Sequence, residues 1–325
     1  MTLAATSASE PRFRMTRSRW FNLALLGIVI VVLIIGGVTQ PEFLTPDNAI
    51  AIVRAAALIG IAAVGMTFIT LSGNFVSLST QQTAVLSAIL FAMALGAGWS
   101  LLPSVAVVFA AALVLGLIQG WFVALGLNSI VTSLGAGAAI FGIANVITDN
   151  RTVQARSDVA DFLGNSRPLG IPIQVWIFAG LTAITMIVLL KTTFGRQVKL
   201  IGSNRDTARA SGIRVGRVVI WSFVIASVFA SICGILLVAQ VGQAKVLNFE
   251  DFNISVVAAV LVGGTAIQGG EGSTLRTAIG AIVISTLDAY MLFAQYETGT
   301  RLVITGVVVG LAVISFNWVR TRSST

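Results

Sequence analysis

Apolar runs of membrane length recur along the whole chain, separated by short polar or glycine-rich breaks. They cover about residues 20–38, 51–71, 79–96, 103–125, 128–148, 173–190, 217–240, 254–268, 275–293 and 301–318. A run of about twenty apolar residues is what a helix needs to cross the hydrocarbon core of a bilayer. The pattern therefore predicts an all-α polytopic membrane protein with about ten transmembrane helices. The run 254–268 is short and rich in glycine, so its helix has the weakest pattern.

Composition makes a soluble fold untenable. Of the 325 residues 56% are hydrophobic and 10% charged, against about 25% charged in soluble domains. Mean hydropathy is +0.96. The net charge of +8 invites a nucleic-acid reading, but the basic residues gather at the ends of spans. Cys233 is the single cysteine, so the chain forms no internal disulfide. Histidine is absent, which removes His-ligated metals and His-based acid–base catalysis.

The charges orient the spans. Ten spans with the N-terminus inside place 14 of the 20 Lys and Arg on the cytoplasmic side and six outside. Both termini, the tails 1–19 and 319–325, are then cytoplasmic, flanking a membrane domain over 20–318. The Arg-rich start could be read as a signal peptide, but its apolar run is too long and no small-x-small cleavage site follows.

The longest basic interruption is Lys191–Arg217, with seven Lys or Arg and one acid, Asp206. Arg205–Ser211 can form a short helix that Gly212 ends. These charges either only set orientation or present a docking site for a cytoplasmic partner. The outer loop 149–172 carries both signs and reads equally as solvated surface or as a place for a soluble partner. Dividing the spans at this loop gives five and five, hence two halves of opposite orientation. Each half has a polar break after its second span, at 72–79 and 241–251.

Small residues spaced by four suit helix packing in lipid: Gly116 with Gly120, Gly306 with Gly310, and Ala226 with Ala230 and Gly234. Each pair fits packing inside one subunit, and one of them fits a dimer face. Polar residues in apolar runs are costly, which singles out Asn74, Ser77, Gln119, Asn128, Thr132, Asn145, Gln240 and Asp288. They line a route for an uncharged polyol or serve as interhelical hydrogen bonds. The break with Gly263, Gly264, Gly269, Gly270 and Gly272 is as glycine-rich as a phosphate loop. It lacks the Gly-Lys-Ser/Thr ending, so the chain offers no ATP site.

Asp206-Thr207-Ala208-Arg209-Ala210-Ser211-Gly212 resembles the Glu-Ala-Ala-x-x-x-Gly loop of ABC importer permeases, with Asp for Glu and Thr for the first Ala. The surrounding GSNRDTARASGI is similar to the version in ribose, galactose and xylose permeases, within the branched-chain amino acid/ribose permease superfamily. PEFLTPDN, AAVGMTFITLSGN at 62–74, NSIVTSLGAGAAIFGIANVITDNRTV at 128–153 and VAAVLVGGTAIQGGEGS at 257–273 match the same family in order, so the resemblance runs from about Trp20 to the end. One departure stands out: the family's Thr-Gly-Gly-Ile-Asp-Leu-Ser is here Ser72-Gly73-Asn74-Phe75-Val76-Ser77-Leu78-Ser79, without the acid.

The resemblance implies a non-enzymatic permease subunit in a bacterial inner membrane, importing a monosaccharide or related polyol. It implies an ABC ATPase that docks at Arg205, Asp206, Thr207, Ala208, Arg209, Ser211 and Gly212 and holds the ATP and Mg. It further implies a periplasmic substrate-binding protein and a second permease, identical or related. Two other classes stay open on the residues alone. An ion-coupled secondary transporter would need a buried carboxylate, for which Asp288 is available. An intramembrane enzyme would need a paired acid–base site, and the spans have none.

Overall fold

The computed structural model describes residues 13–155, 158–249 and 251–321. Arg12, Arg156, Glu250 and Arg322, with most of the N-terminal tail and the end of the C-terminal tail, lie outside the described residues.

The described chain is helical almost throughout: α1 (Phe13–Thr39), α2 (Pro46–Leu71), α3 (Thr80–Gly96), α4 (Leu101–Ala124), α5 (Ser129–Thr148), α6 (Asp158–Asn165), α7 (Ile173–Lys191), α8 (Thr193–Ser203), α9 (Arg205–Ala210), α10 (Val215–Val241), α11 (Phe252–Val262), α12 (Thr274–Phe293) and α13 (Thr298–Thr321). Six of them, α2, α4, α5, α7, α10 and α12, are long and apolar enough to cross a membrane. Shorter apolar helices lie within α1, α3, α11 and α13. Every apolar run read from the sequence thus has its helix, in an all-α polytopic membrane protein.

Two helices form the middle of the bundle. From Ala56 to Leu71 α2 is buried at all but one position, Leu58, and α10 is buried over most of its length. A helix apolar all round belongs in the centre. Glycines let backbones close in: Gly116 and Gly120 of α4 face Val224 and Ile220 of α10, and Gly234 of α10 faces Ala84 and Ala88 of α3. Those two small-residue stripes pack within the subunit, while Gly306 and Gly310 of α13 face open space. The packing pairs recur across the fold. As α10 packs on α4, α2 packs on α12; as α3 packs on α4 and α5, α11 packs on α12 and α13. Large apolar side chains such as Leu102, Val131, Val146, Ile184 and Val303 point outward.

The run read as a span over 254–268 needs correction. Its helix ends at Val262, and residues 263–273 are non-helical. Eleven residues make a helix of about 16 Å, roughly half of a 30 Å hydrocarbon core. Apolar composition continues past Val262, but Gly263 and Gly264 turn the chain, with Gly264 at φ +72°. Residues 263–266 and Gly269 are buried against the rest of the protein, while Gln268 and Glu271 are exposed.

The loop 149–172 is folded. It holds α6 and a two-residue strand β1 (Val153–Gln154), antiparallel to β2 (Gln243–Ala244) just after α10. Ala155 N–H donates to Gly242 O at 2.9 Å, and Gly164 of α6 sits against the backbone of Ala239 and Gln240. The loop therefore caps the C-terminal end of α10.

Candidate functional site: coupling helices and broken spans

The basic interruption folds into two short helices. Thr192 caps α8, its Oγ1 accepting from Gly195 N. Asn204 caps α9, with Oδ1 accepting from Asp206 N at 3.1 Å and Thr207 N at 3.0 Å. A side-chain oxygen serving the second and third helical N–H groups is the N-cap pattern. At the other end Gly212, at φ +78°, donates to Arg209 O, and Ile213 N donates to Ala208 O. That pair of bonds is a Schellman stop, the role expected of Gly212. Ala208 is buried in the cluster with Val198, Ile201, Val215 and Phe223, and Ile213 packs on it.

Everything else on α9 faces outward except Arg205, which is half-buried. Asp206, Thr207, Arg209, Ser211 and Gly212 form one exposed knob. The Asp206–Arg209 pair at 3.7 Å is solvent-exposed and holds little energy. Burial lowers the Arg205 pKa, repulsion from Arg209 lowers it further, and Asp206 opposes both. The Lys199 pKa is lowered first by burial and then by repulsion from Arg276. Beside α9 runs an open groove of about 330 Å³ lined by Phe194, Gln197, Arg214, Arg217 and Trp221.

The first break, 72–79, runs inward from the end of α2. Asn74 is buried and donates to Ser72 Oγ at 2.9 Å; Ser77 and Ser79 share a hydroxyl contact at 3.0 Å. Ser79 Oγ donates to Gln119 Oε1 at 2.6 Å, while Gln119 Nε2 is buried with no partner among the described residues. Leu78 N donates to Ser133 Oγ. Here α2, α3 and α10 enclose a cavity of about 10 Å³ lined by Ser77, Ser79, Thr80, Thr83 and Ser227 together with the apolar Ile69, Phe223, Ala226 and Ala230. It has room for about one water, so this point is closed.

Asn253 ties α11 to the first break and to the start of α3. From the first turn of α11 its Nδ2 donates to Leu78 O at 2.7 Å, and its Oδ1 accepts from Gln81 N at 3.0 Å. The starts of α3 and α11 are therefore tied to each other inside the bundle. A further hydroxyl chain links Thr67 of α2 to Thr277 of α12 at 3.0 Å, with Thr265 at 3.4 Å from Thr277.

The other residues singled out for a pathway lie elsewhere. Asn128 is the exposed N-cap of α5, accepting from Ile130 N. Thr132 lies one turn on, its buried Oγ1 without a partner among the described residues. Asn145 donates back to Phe141 O within α5. Gln240 is exposed at the C-terminal end of α10. Asp288 accepts from Arg301 Nη2 at 2.6 Å and Nε at 3.2 Å, across the α12–α13 corner. The structure brings Ser77 and Gln119 together through Ser79, while Asn74 bonds to Ser72 within its own break. Of the glycines, Gly269 meets Gly73 of the first break, Gly270 meets Leu71 and Ser203, Gly263 packs on Thr277 of α12, Gly264 supplies the turn and Gly272 meets Thr265. Sequence reasoning missed Asn204 and Asn253. Asparagine ahead of Arg205-Asp206-Thr207 was a readable cap signal; Asn253 gave none.

A bundle of apolar helices with a polar, closed seam and an exposed basic knob defines a multi-pass membrane permease. The chain belongs to the family described as the branched-chain amino acid transport system / permease component, which matches residues 48–313. It is 27% identical over 299 residues to the ribose import permease protein RbsC of Haemophilus influenzae, covering 90% of this chain and 92% of that one. Similarity to RbsC of Bacillus subtilis is 30% over 292 residues, covering 89% and 90%. Similarity to the L-arabinose transport system permease protein AraH of Escherichia coli K12 is 27% over 317 residues, covering 97% and 96%. The chain is thus the non-catalytic membrane subunit of an ABC importer in a bacterial inner membrane.

Proposed function

We propose that this subunit imports a monosaccharide or closely related polyol, powered by a separate ABC ATPase that docks on α9 and the flanking residues 191–217. The observation that carries the docking reading is the α9 knob, a helix capped at both ends, anchored by Ala208 and exposed at Asp206, Thr207, Arg209 and Ser211. The hydroxyls of Ser77, Ser79, Thr80, Thr83 and Ser227, with the Gln119 amide, support an uncharged polyol, since they both donate and accept. Relatives named for ribose and arabinose point to the same class of substrate. Nucleotide and Mg belong on the ATPase, and a periplasmic binding protein delivers substrate at the face carrying α6.

Ten spans with both termini inside, in two inverted halves of five, organise this reading. The recurring packing pairs support it: α2 on α12 against α10 on α4, and α11 on α12 and α13 against α3 on α4 and α5. A second permease subunit completes the membrane core, and the open glycine face of α13 suits a close helix contact. Asp288 has a structural partner in Arg301, which disfavours the ion-coupled alternative.

The test is uptake of labelled ribose and L-arabinose into proteoliposomes holding the permease with the ATPase and binding protein of its own operon. Uptake is expected only with all three proteins and Mg·ATP. Uptake by the permease alone under an ion gradient would overturn the reading.

A further inference from the structure

Three separate segments meet behind α8 and α9, backbone to backbone at Gly73, Gly202 and Gly269, with the Ser203 hydroxyl beside Gly270. They are the end of α2 with the start of the first break (Leu71–Gly73), the end of α8 (Gly202–Ser203) and the second break (Gly269–Gly270). Gly270 N donates to Leu71 O at 3.0 Å. A Cβ on Gly202 would fall onto both atoms of that bond, Leu71 O and Gly270 N. A Cβ on Gly269 would lie 2.6 Å from Gly73 Cα and 3.1 Å from Gly202 Cα. One on Gly73 would lie 3.2 Å from Gly202 Cα. Gly73 and Gly269 also hold φ of +74° and +89°, where a side chain is strained.

We propose that Gly73, Gly202 and Gly269 are positioning residues for transport, forming the joint through which α8 and α9 drive both broken spans at once. This rests on the importer reading above. Direct backbone contact leaves no rotamer to absorb a displacement, so movement of α8 passes to both breaks together. From the joint one arm runs through residues 73–79 to Ser77 and Ser79. The other runs back through 263–268 and α11 to Asn253. Asn253 closes the ring by bonding Leu78 O and Gln81 N. The cavity lies where the arms converge, at Ser77, Ser79 and Thr80. Tilting α8 about the glycine joint therefore shears the far end of the ring and opens the cavity.

The test reads cavity opening without needing the substrate. In the full complex with its ATPase, Thr83→Cys places a thiol on the cavity wall; Cys233 is fully buried and silent. Trapping with Mg·ATP and vanadate is expected to change its labelling rate by a small thiosulfonate at least tenfold. Adding Gly73→Ala, at the joint but outside the docking segment, is expected to leave ATPase binding and hydrolysis in place while that change falls below twofold. Persistence of the full change in Gly73→Ala, or no change on trapping in Thr83→Cys itself, overturns the proposal. If Gly73→Ala does not accumulate, Asn253→Ala reads the other end of the ring, where an undiminished labelling change also overturns it. Failure of the unmodified chain to bind any ATPase would instead sink the importer reading.

Discussion

Removing the cap of α9 tests the docking knob quantitatively. Asn204 is the only residue before α9 whose side chain serves the helix start, and it accepts from two backbone N–H groups at 3.1 and 3.0 Å. Replacing such a cap by Ala costs about 1 kcal/mol, within roughly 0.5–2. A helix of six residues has almost no stability of its own and depends on its caps and on Ala208. A loss of about 1 kcal/mol shifts the formed-to-frayed ratio of α9 about fivefold. If the ATPase grips only the formed helix, its apparent affinity falls by the fraction lost, hence by at most about fivefold. The measurement is titration of ATPase onto detergent-solubilised permease, with ATP-driven uptake alongside. Asn204→Ala is expected to weaken docking two- to fivefold, and Asn204→Ser or Asn204→Asp, which also cap, are expected to restore it. Wild-type docking in Asn204→Ala, or equal loss in all three variants, would refute the reasoning.

Other outcomes follow from the same geometry. Ser79→Ala strands Gln119 Oε1 in a buried site and should destabilise by about 1–3 kcal/mol in thermal unfolding; adding Gln119→Leu should recover most of it, and no recovery would deny the coupling of the pair. Asp288→Asn breaks the partly exposed pair with Arg301 at a cost of about 1 kcal/mol, yet uptake under an imposed proton gradient should stay within about twofold. Lys199 has its pKa below the ordinary 10.5 because burial and Arg276 disfavour its charge. The folded state then releases that proton before the unfolded one, so stability rises with pH through this alkaline window and the charge is a cost at neutral pH. Lys199→Gln should therefore raise the melting temperature at pH 7 in detergent; a fall would contradict the assignment.

Hydropathy carried the helices well because a bilayer permits few alternatives: a lipid-facing backbone must bond to itself. The same logic misplaced the end of α11. Val262 is followed by Gly263, Gly264, Thr265, Ala266 and Ile267, which look like continuing span to any hydropathy window. The helix stops there because tertiary partners take over the backbone: Ala266 N donates to Glu271 O, and Gly270 N to Leu71 O. Such partners are remote in sequence, so no local pattern announces them. Asp288 shows the complementary case. As an acid inside an apolar run it looks functional, yet a hairpin brings Arg301 to it from thirteen residues away.

The unforeseen contacts fall outside the runs that hydropathy would mark. Gly202 and Asn253 lie where segments remote in sequence touch, and Asn204 caps the helix that follows it. A permease can form its spans from composition alone, but composition says nothing about how one half feels the other. That information resides in a few small or amide-bearing residues whose partners are backbone atoms: Leu71 O, Asp206 N, Leu78 O and Gln81 N. Backbone partners survive changes in neighbouring side chains. The seam at Ser77, Ser79 and Gln119 is built from side-chain contacts, whereas the glycine joint is built from backbone contacts. On this view substitutions at Ser77 or Gln119 should alter which solute passes, and those at Gly202 or Asn204 should alter whether ATP moves anything at all.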